Sequence, residues 1–290
     1  VLFRSGYVVG ISNMSTSDNV VRDPLNYGSD VDGIQSVVDE ILSRGGATAE
    51  VHVPHIASDD SPFRLTDTVL LGSTSSEAVV NAYGHYGGRR QDPGDPERGI
   101  IADTNGAPIF KQQSGTYPGR GADFTGFYVD GLGSSSSIYE RVDCSDGIVR
   151  FRAANFAGTG MQCSGTANDA YHLMLSPNQS SAVGIDFTNN STGVGQPGNS
   201  DHQFSPMTHI QSDHDVSIRS TSANGGGRIT VAGHYEGAVT SSLQLIGQGR
   251  WNITPSTNNL LTAGGDTTAA CVELDCYDAV VAPSRIAGST

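Results

Sequence analysis

Apolar pairs recur along this chain at a spacing close to two dozen residues, and that spacing restricts the fold more than any other feature. Phe127 with Val129, Val149 with Phe151, and Leu173 with Leu175 are alternating pairs, each set back from the next by nearly the same length of chain. Met161 with Cys163 and Ile185 with Phe187 form a second series with the same offset. Further pairs stand at Val216 with Ile218, Ile229 with Val231, Leu243 with Leu245, and Trp251 with Ile253; the second and fourth of these repeat the spacing again. Alternation marks short, half-buried strands. Repeated at this period, it is what successive coils of a solenoid give, each stacking its inward residues on those of the coil below. Gly131-Leu132-Gly133, Asn168-Asp169 and Asn189-Asn190 fall between the strands and are residue types that turns favour.

A different pattern precedes the repeat. Ile34, Val37, Val38, Ile41 and Leu42 lie on one stripe of a helix while Gln35, Ser36, Asp39 and Glu40 face away, so an amphipathic helix is predicted over 31–44. Asp30 and Asp32 stand at its entrance, where carboxylates accept orphan backbone N–H groups, and Gly45-Gly46 ends it. Ala47, Ala49, Val51 and Val53 then alternate with Thr48, Glu50 and His52, a strand closed by Pro54. Val69 to Leu71 and Val79 to Tyr83 read as further strands, and Tyr7 to Ile11 as one more within a polar lead-in over 1–29.

This order resembles the start of the pectate-lyase-like, right-handed parallel β-helix proteins. Asp32-Gly33, Ile34-Gln35, Val38-Asp39, Gly45-Gly46 and Val53-Pro54 match the family's end-capping segment, and Thr68-Val69-Leu70-Leu71-Gly72 is similar to the strand that follows it. The likeness covers residues 28 to 90, but the family's second acidic pair and its Gly-Thr-Tyr are missing, Pro54 being followed by His55-Ile56-Ala57-Ser58. The resemblance implies an all-β fold, a right-handed parallel β-helix with a short N-terminal capping helix, as one domain over 30–290. Residues 84–121, rich in Gly, Pro and Arg, are expected to be an irregular insertion, and 191–206 a loop. A solenoid must cover both ends, so a cap is expected after residue 255.

The formal charge is -14, and Lys111 is the only lysine among sixteen basic residues. Such a field opposes nucleic-acid binding, which needs positive charge facing phosphates. Many aspartates with almost no lysine resemble proteins of extremely halophilic archaea or their viruses, where salt screens an anionic surface; an ordinary acidic secreted protein is the alternative. No run of eighteen apolar residues is present, so no membrane span is predicted. Val1-Leu2-Phe3-Arg4-Ser5-Gly6 resembles a foreign leader and is set aside as non-native. Cys144 and Cys163, separated by close to one coil of sequence, are candidates to bridge neighbouring coils, and Cys271 with Cys276 to close a small loop. Zinc ligation by the latter pair and four buried thiols are the competing readings.

Parallel β-helix enzymes act on polysaccharides along one sheet; lyases of that class hold calcium with clustered acids, and hydrolases use paired aspartates. Neither signature occurs here, although calcium is the one cofactor that the resemblance implies. The best cluster is Asp213-His214-Asp215 with Arg219, and His234 with Glu236 further on. With Val216 and Ile218 inward, Asp215, Ser217 and Arg219 would form an outward row suited to a sugar or a uronate carboxylate; a solvated turn is the competing reading. Asp143, Asp146, Arg150 and Arg152 form a second candidate, with a surface ion pair as its alternative. Tyr83, Tyr86, Tyr117, Tyr128 and Tyr235 are outward candidates for stacking on sugar faces, whereas Trp251 is expected in the core. Two functions fit: an extracellular or virion-exposed protein that binds or degrades polysaccharide, and a non-catalytic tail-spike, fibre or adhesin, a homotrimer being one form of the latter. A β-sandwich is the competing architecture.

Overall fold

The computed structural model describes residues 31–43, 48–54, 63–73, 79–85, 100–102, 107–115, 119–134, 137–188, 199, 201–221, 228–260, 272–281 and 286–288. One helix, α1 (Val31–Ser43), leads into a stack of coils. The first coil carries β1 (Thr48–Pro54), β2 (Phe63–Leu65) and β3 (Val69–Ser73), and the next β4 (Val79–His85), β5 (Ile100–Ala102) and β6 (Phe110–Ser114). A short β7 (Gly119–Arg120) precedes β8 (Phe124–Ser134) and β9 (Tyr139–Val142). After β10 (Cys144–Ser145) come β11 (Ile148–Phe156) with β12 (Thr159–Ser164), then β13 (Ala170–Ser176) with β14 (Val183–Thr188). The last coils hold β15 (Gln203–Phe204), β16 (His209–Ile210), β17 (His214–Ser220), the long bent β18 (Arg228–Leu260), β19 (Val272–Val281) and β20 (Ile286–Gly288).

Each strand pairs with its counterpart one coil away. Among the described residues every pairing is parallel except a single bridge between Gly72 and Val79. One wall runs β1, β4, β8, β11, β13, β15 with β16, and the start of β18. A second runs β3, β6, β9, β12, β14, β17, the middle of β18 and β19. The fold is thus a parallel β-solenoid, not a pair of packed antiparallel sheets.

The core is a set of columns between these walls. Val69, Phe110, Tyr139, Met161, Ile185, Ile218 and Leu243 stack rung on rung in the second wall. Val51, Ala82, Phe124, Val149, Tyr171 and Phe204 do the same in the first. All of them are buried, and their aromatic members touch one another, as where Phe124 stacks on Tyr139 with ring centroids 4.3 Å apart. Trp251 is inward as expected, edge-on to Phe187 at 6.2 Å. The helix closes one end of the core: Ile34, Val37, Val38 and Ile41 are buried against it. Its Gln35 mimics a further strand, accepting from Leu70 N at 2.8 Å and donating to Leu70 O at 3.2 Å. A sheet edge is satisfied that way instead of being left to pair with another chain.

Three expectations change. The pairs Phe127 with Val129, Val149 with Phe151 and Leu173 with Leu175 do stack, but in a shifted register: Phe127 sits on Phe151 and Phe151 on Leu173, while Val149 lies between Phe124 and Tyr171. Cys144 and Cys163 are free thiols. Their spacing falls short of a full coil, so Cys163 stacks on Arg141 and not on Cys144. Cys271 and the side chain of Cys276 lie outside the described residues. The range 84–121 is not wholly irregular, because β5 and β6 within it join the solenoid, pairing with β2 and β3. Its remaining stretches 86–99, 103–106 and 116–118 lie outside the described residues, as do Tyr86, Tyr117, the lead-in over 1–29 and most of the 191–206 loop.

Candidate functional site

In the first wall, every second side chain points away from the core, and the parallel register lines these side chains up across coils. One outward row is His52, Tyr83, Thr125, Arg150 and His172. The next row along the wall is Tyr128, Arg152, Met174, His209 and His234. In an acidic chain with so few cations, these two rows gather arginines, histidines and tyrosines on one face. His52 and Tyr83 stack with ring centroids 5.1 Å apart and 25° between planes. A cleft of about 330 Å³ opens between the rows, lined by Thr125, Arg150, Arg152, His172 and Met174, with Phe127 and Phe151 at its floor.

Three other described cations already have partners. Lys111 meets Glu140 at 3.3 Å, Arg141 meets Asp169 at 2.6 Å, and Arg219 meets Asp186. Among the described residues Arg150 and Arg152 have no carboxylate partner, so their charge is available to a ligand. Burial, then the charges of Arg150 and Arg152, hold the His172 imidazole below its ordinary value. The neutral imidazole is therefore the favoured form near pH 7, and an anion bound beside it would favour its protonation. Tyr83 is pushed above the usual phenol range by burial and by Asp123, to which its hydroxyl donates at 3.1 Å.

Asp143 and Asp146 do not belong to that face. Both adopt the left-handed conformation, with φ of 53° and 58°, at the corner between β9 and β11, a conformation that short acidic side chains tolerate. Asp143 is buried and Asp146 accepts from the Ser145 hydroxyl at 3.0 Å, so the two shape a turn and are not ion-paired to Arg150 or Arg152. Tyr235 is likewise removed from the candidates. It is buried in register with Ile210, its hydroxyl donates to Ala232 O at 2.6 Å, and its place follows from the outward positions of its neighbours His234 and Glu236.

The cluster expected around residues 213–236 separates into two parts across a corner formed by Ser212 and Gly237, whose φ angles are 76° and 91°. On one side lie the residues of β17. Arg219 is engaged by Asp186 through Nε at 3.2 Å and Nη2 at 2.5 Å, a bond that lifts its pKa further. Asp215 accepts from Thr240, and Asp213 is exposed. Ser217 is not outward: it is buried under the His214 ring at 2.6 Å. Because His214 Nδ1 donates to Ser212 O at 2.7 Å, Nε2 is the acceptor for Ser217, and burial keeps this imidazole neutral. On the other side, His234 and Glu236 belong to the first wall and meet at 3.1 Å. Their additional partner is His209, which the sequence pattern does not single out: its Nε2 lies 3.5 Å from Glu236. Burial alone would raise the Glu236 carboxyl, but the two histidines outweigh it and hold it below the usual range.

Inside the solenoid lies a polar network that alternation did not reveal. The Arg141 guanidinium is fully buried and donates to both Asp169 oxygens at 2.6 and 3.0 Å, to Gln112 Oε1 at 2.6 Å and to Ala122 O at 2.5 Å. Asp169 also accepts from Gly147 N at 3.0 Å and from the Tyr171 hydroxyl at 3.1 Å. His202 contacts Tyr171 and Thr166, and burial drives its pKa down to about 4. Every group here is sealed from solvent, so the network organises the core and offers no reactive surface.

No protein-family model, curated protein or solved structure matches this chain. The class defined by the geometry is a parallel β-solenoid with a helical end cap and a cation-bearing outer wall.

Proposed function

We propose that this β-solenoid binds an anionic polysaccharide along the outward face of its first wall, without cleaving it, as part of a protein exposed outside the cell or on a virion. The observation that carries the reading is the pair Arg150 and Arg152, projecting side by side into the cleft with no carboxylate partner among the described residues. A guanidinium fork matches a uronate carboxylate or a sulfate, and Tyr83, Tyr128 and His52 offer rings against which sugar faces pack. Rows repeating at each coil suit a ligand that itself repeats. Pectate-lyase-like kinship and a salt-rich habitat belong to the same proposal; the end-capping segment supports the first and the acidic, lysine-poor composition the second.

A rod-like fibre or adhesin is the form favoured over an enzyme, because Arg219, Asp215 and His214 are already engaged within the protein. Titration of polygalacturonate, a sulfated glycan and a neutral glucan into the protein is the test. The acidic polymers are expected to bind and the glucan not to, with Arg150→Ala/Arg152→Ala weakening binding about 10- to 100-fold, as loss of one or two charge-assisted hydrogen bonds implies. Equal affinity for the neutral polymer, or an unchanged double variant, refutes the reading; release of unsaturated or reducing ends would show that it is an enzyme.

A further inference from the structure

His209, His234 and Glu236 stand together for a reason that the glycan reading does not supply. We propose that they bind a divalent transition-metal ion of the zinc type. His209 in β16 and His234 in β18 occupy the same register on adjacent rungs, and Glu236 follows two residues after His234 on the same face. The two imidazoles stand nearly perpendicular, 81° apart with centroids at 4.7 Å. One carboxylate bridges them, at 3.5 Å from His209 Nε2 and 3.1 Å from His234 Nε2. One donor atom from each of the three lies within 4.8 Å of the other two.

Zinc bonded tetrahedrally at about 2.0–2.1 Å spaces its ligand atoms by roughly 3.3–3.5 Å, so side-chain rotation alone closes the gap. The parallel register fixes both strands, leaving little backbone freedom to lose on binding. Two imidazole nitrogens and one carboxylate oxygen suit zinc, cobalt or nickel; calcium and magnesium take oxygen sets. The side chains are 29 to 37% exposed, so an ion can enter, and three protein ligands leave a fourth position open outward. Along its row the site lies beyond Arg152 and Met174, but it does not depend on the chain binding a glycan.

The experiment uses the full chain stripped with chelator and titrated with Co²⁺, read by visible absorption, with Zn²⁺ and Ca²⁺ as competitors. One equivalent of Co²⁺ is expected to give the d–d bands of a nitrogen and oxygen site, displaced by Zn²⁺ and unaffected by excess Ca²⁺. His209→Ala and His234→Ala should each lower affinity by more than the roughly 10- to 100-fold that outer-sphere partners alone are worth, while His172→Ala on the same face leaves it unchanged. His209→Gln, which keeps the bulk, guards against a folding defect, and circular dichroism checks each variant. The proposal is overturned by absence of stoichiometric binding, by a thiolate charge-transfer band that assigns the metal to Cys271 and Cys276, by displacement with Ca²⁺, or by binding that survives both histidine variants.

Discussion

Asp169→Asn removes one negative charge and almost no volume from the sealed interior, and its effect is expected to be large. Asp169 receives four hydrogen bonds, two from Arg141 and one each from Gly147 N and Tyr171. Both members of the ion pair have side chains 0% exposed. Burial by itself would lower the Arg141 pKa; the charge of Asp169 more than restores it. Without that carboxylate the guanidinium remains buried beside neutral groups, and an asparagine turns a donor toward a donor. Removal of one partner from a buried pair costs about 3–5 kcal/mol. The readout is urea unfolding followed by fluorescence of Trp251, the only tryptophan. It touches Phe187, which stacks on His202 at 5.5 Å, so the probe sits beside the network. Far-UV circular dichroism, followed in parallel, shows whether the solenoid melts as one unit. Arg141→Met with Asp169→Leu removes both charges together and should recover most of the loss. A single variant within about 1 kcal/mol of wild type, or a double variant no better than the single, refutes the view that an uncompensated charge is what destabilises the core.

Three other outcomes follow from the same structure. Unfolded histidine titrates near 6.5 and buried His202 near 4, so between those values the unfolded chain holds the extra proton; stability should rise by about 3 kcal/mol from pH 4 to 6.5 and then level off, and urea midpoints that are flat across this window would contradict it. Burial pushes the Cys144 thiol up to about 12, against the opposing charge of Arg141, and Cys163 is raised too; both should resist alkylation in the native protein and react after unfolding, and fast native labelling mapped to either by mass spectrometry would disprove their burial. Gly237→Ala should destabilise by about 1–3 kcal/mol, because its φ is 91° and a Cβ would press onto the Ser212 carbonyl; an unchanged thermal midpoint would show that the corner can rearrange.

The walls were legible because alternation and period survive in the residues themselves. Met161 on Ile185 and Cys163 on Phe187 pair as their common offset requires, and the stripe Ile34, Val37, Val38, Ile41 is buried as a helix face should be. Tyr235, expected outward, is buried instead, although outward His234 and Glu236 on either side of it fix its parity as inward. Other features were hidden. Gln112, Arg141 and Cys163 occupy one inward row, yet the step from the first to the second is longer than the step from the second to the third, by a loop whose length leaves no mark in the pattern. Arg141 reads as a surface residue until Asp169, Gln112 and Tyr139 are seen to surround it. The partnership of His209 with His234 was equally invisible, because it rests on register between strands and not on proximity in sequence.

The cation-bearing face itself depends on one irregularity. In β8 the register against β11 slips between Arg150 and Phe151, so that Thr125 faces Arg150 while Phe127 faces Phe151. Gly126, with φ of 79°, takes up the extra residue, and a Cβ there would press onto the Gly84 carbonyl. A bulge of this kind changes which side chains point outward beyond it. Here it lets Phe124 and Phe127 both enter the core, three positions apart, and it turns Tyr128 outward beside Arg152. Without the slip, strict alternation from Phe124 would bury Tyr128 and expose Phe127 and Val129 next to the arginines. The bulge is therefore what joins a tyrosine to the arginine cleft, and a glycine in the left-handed region, not the apolar period, decides where the candidate site can be.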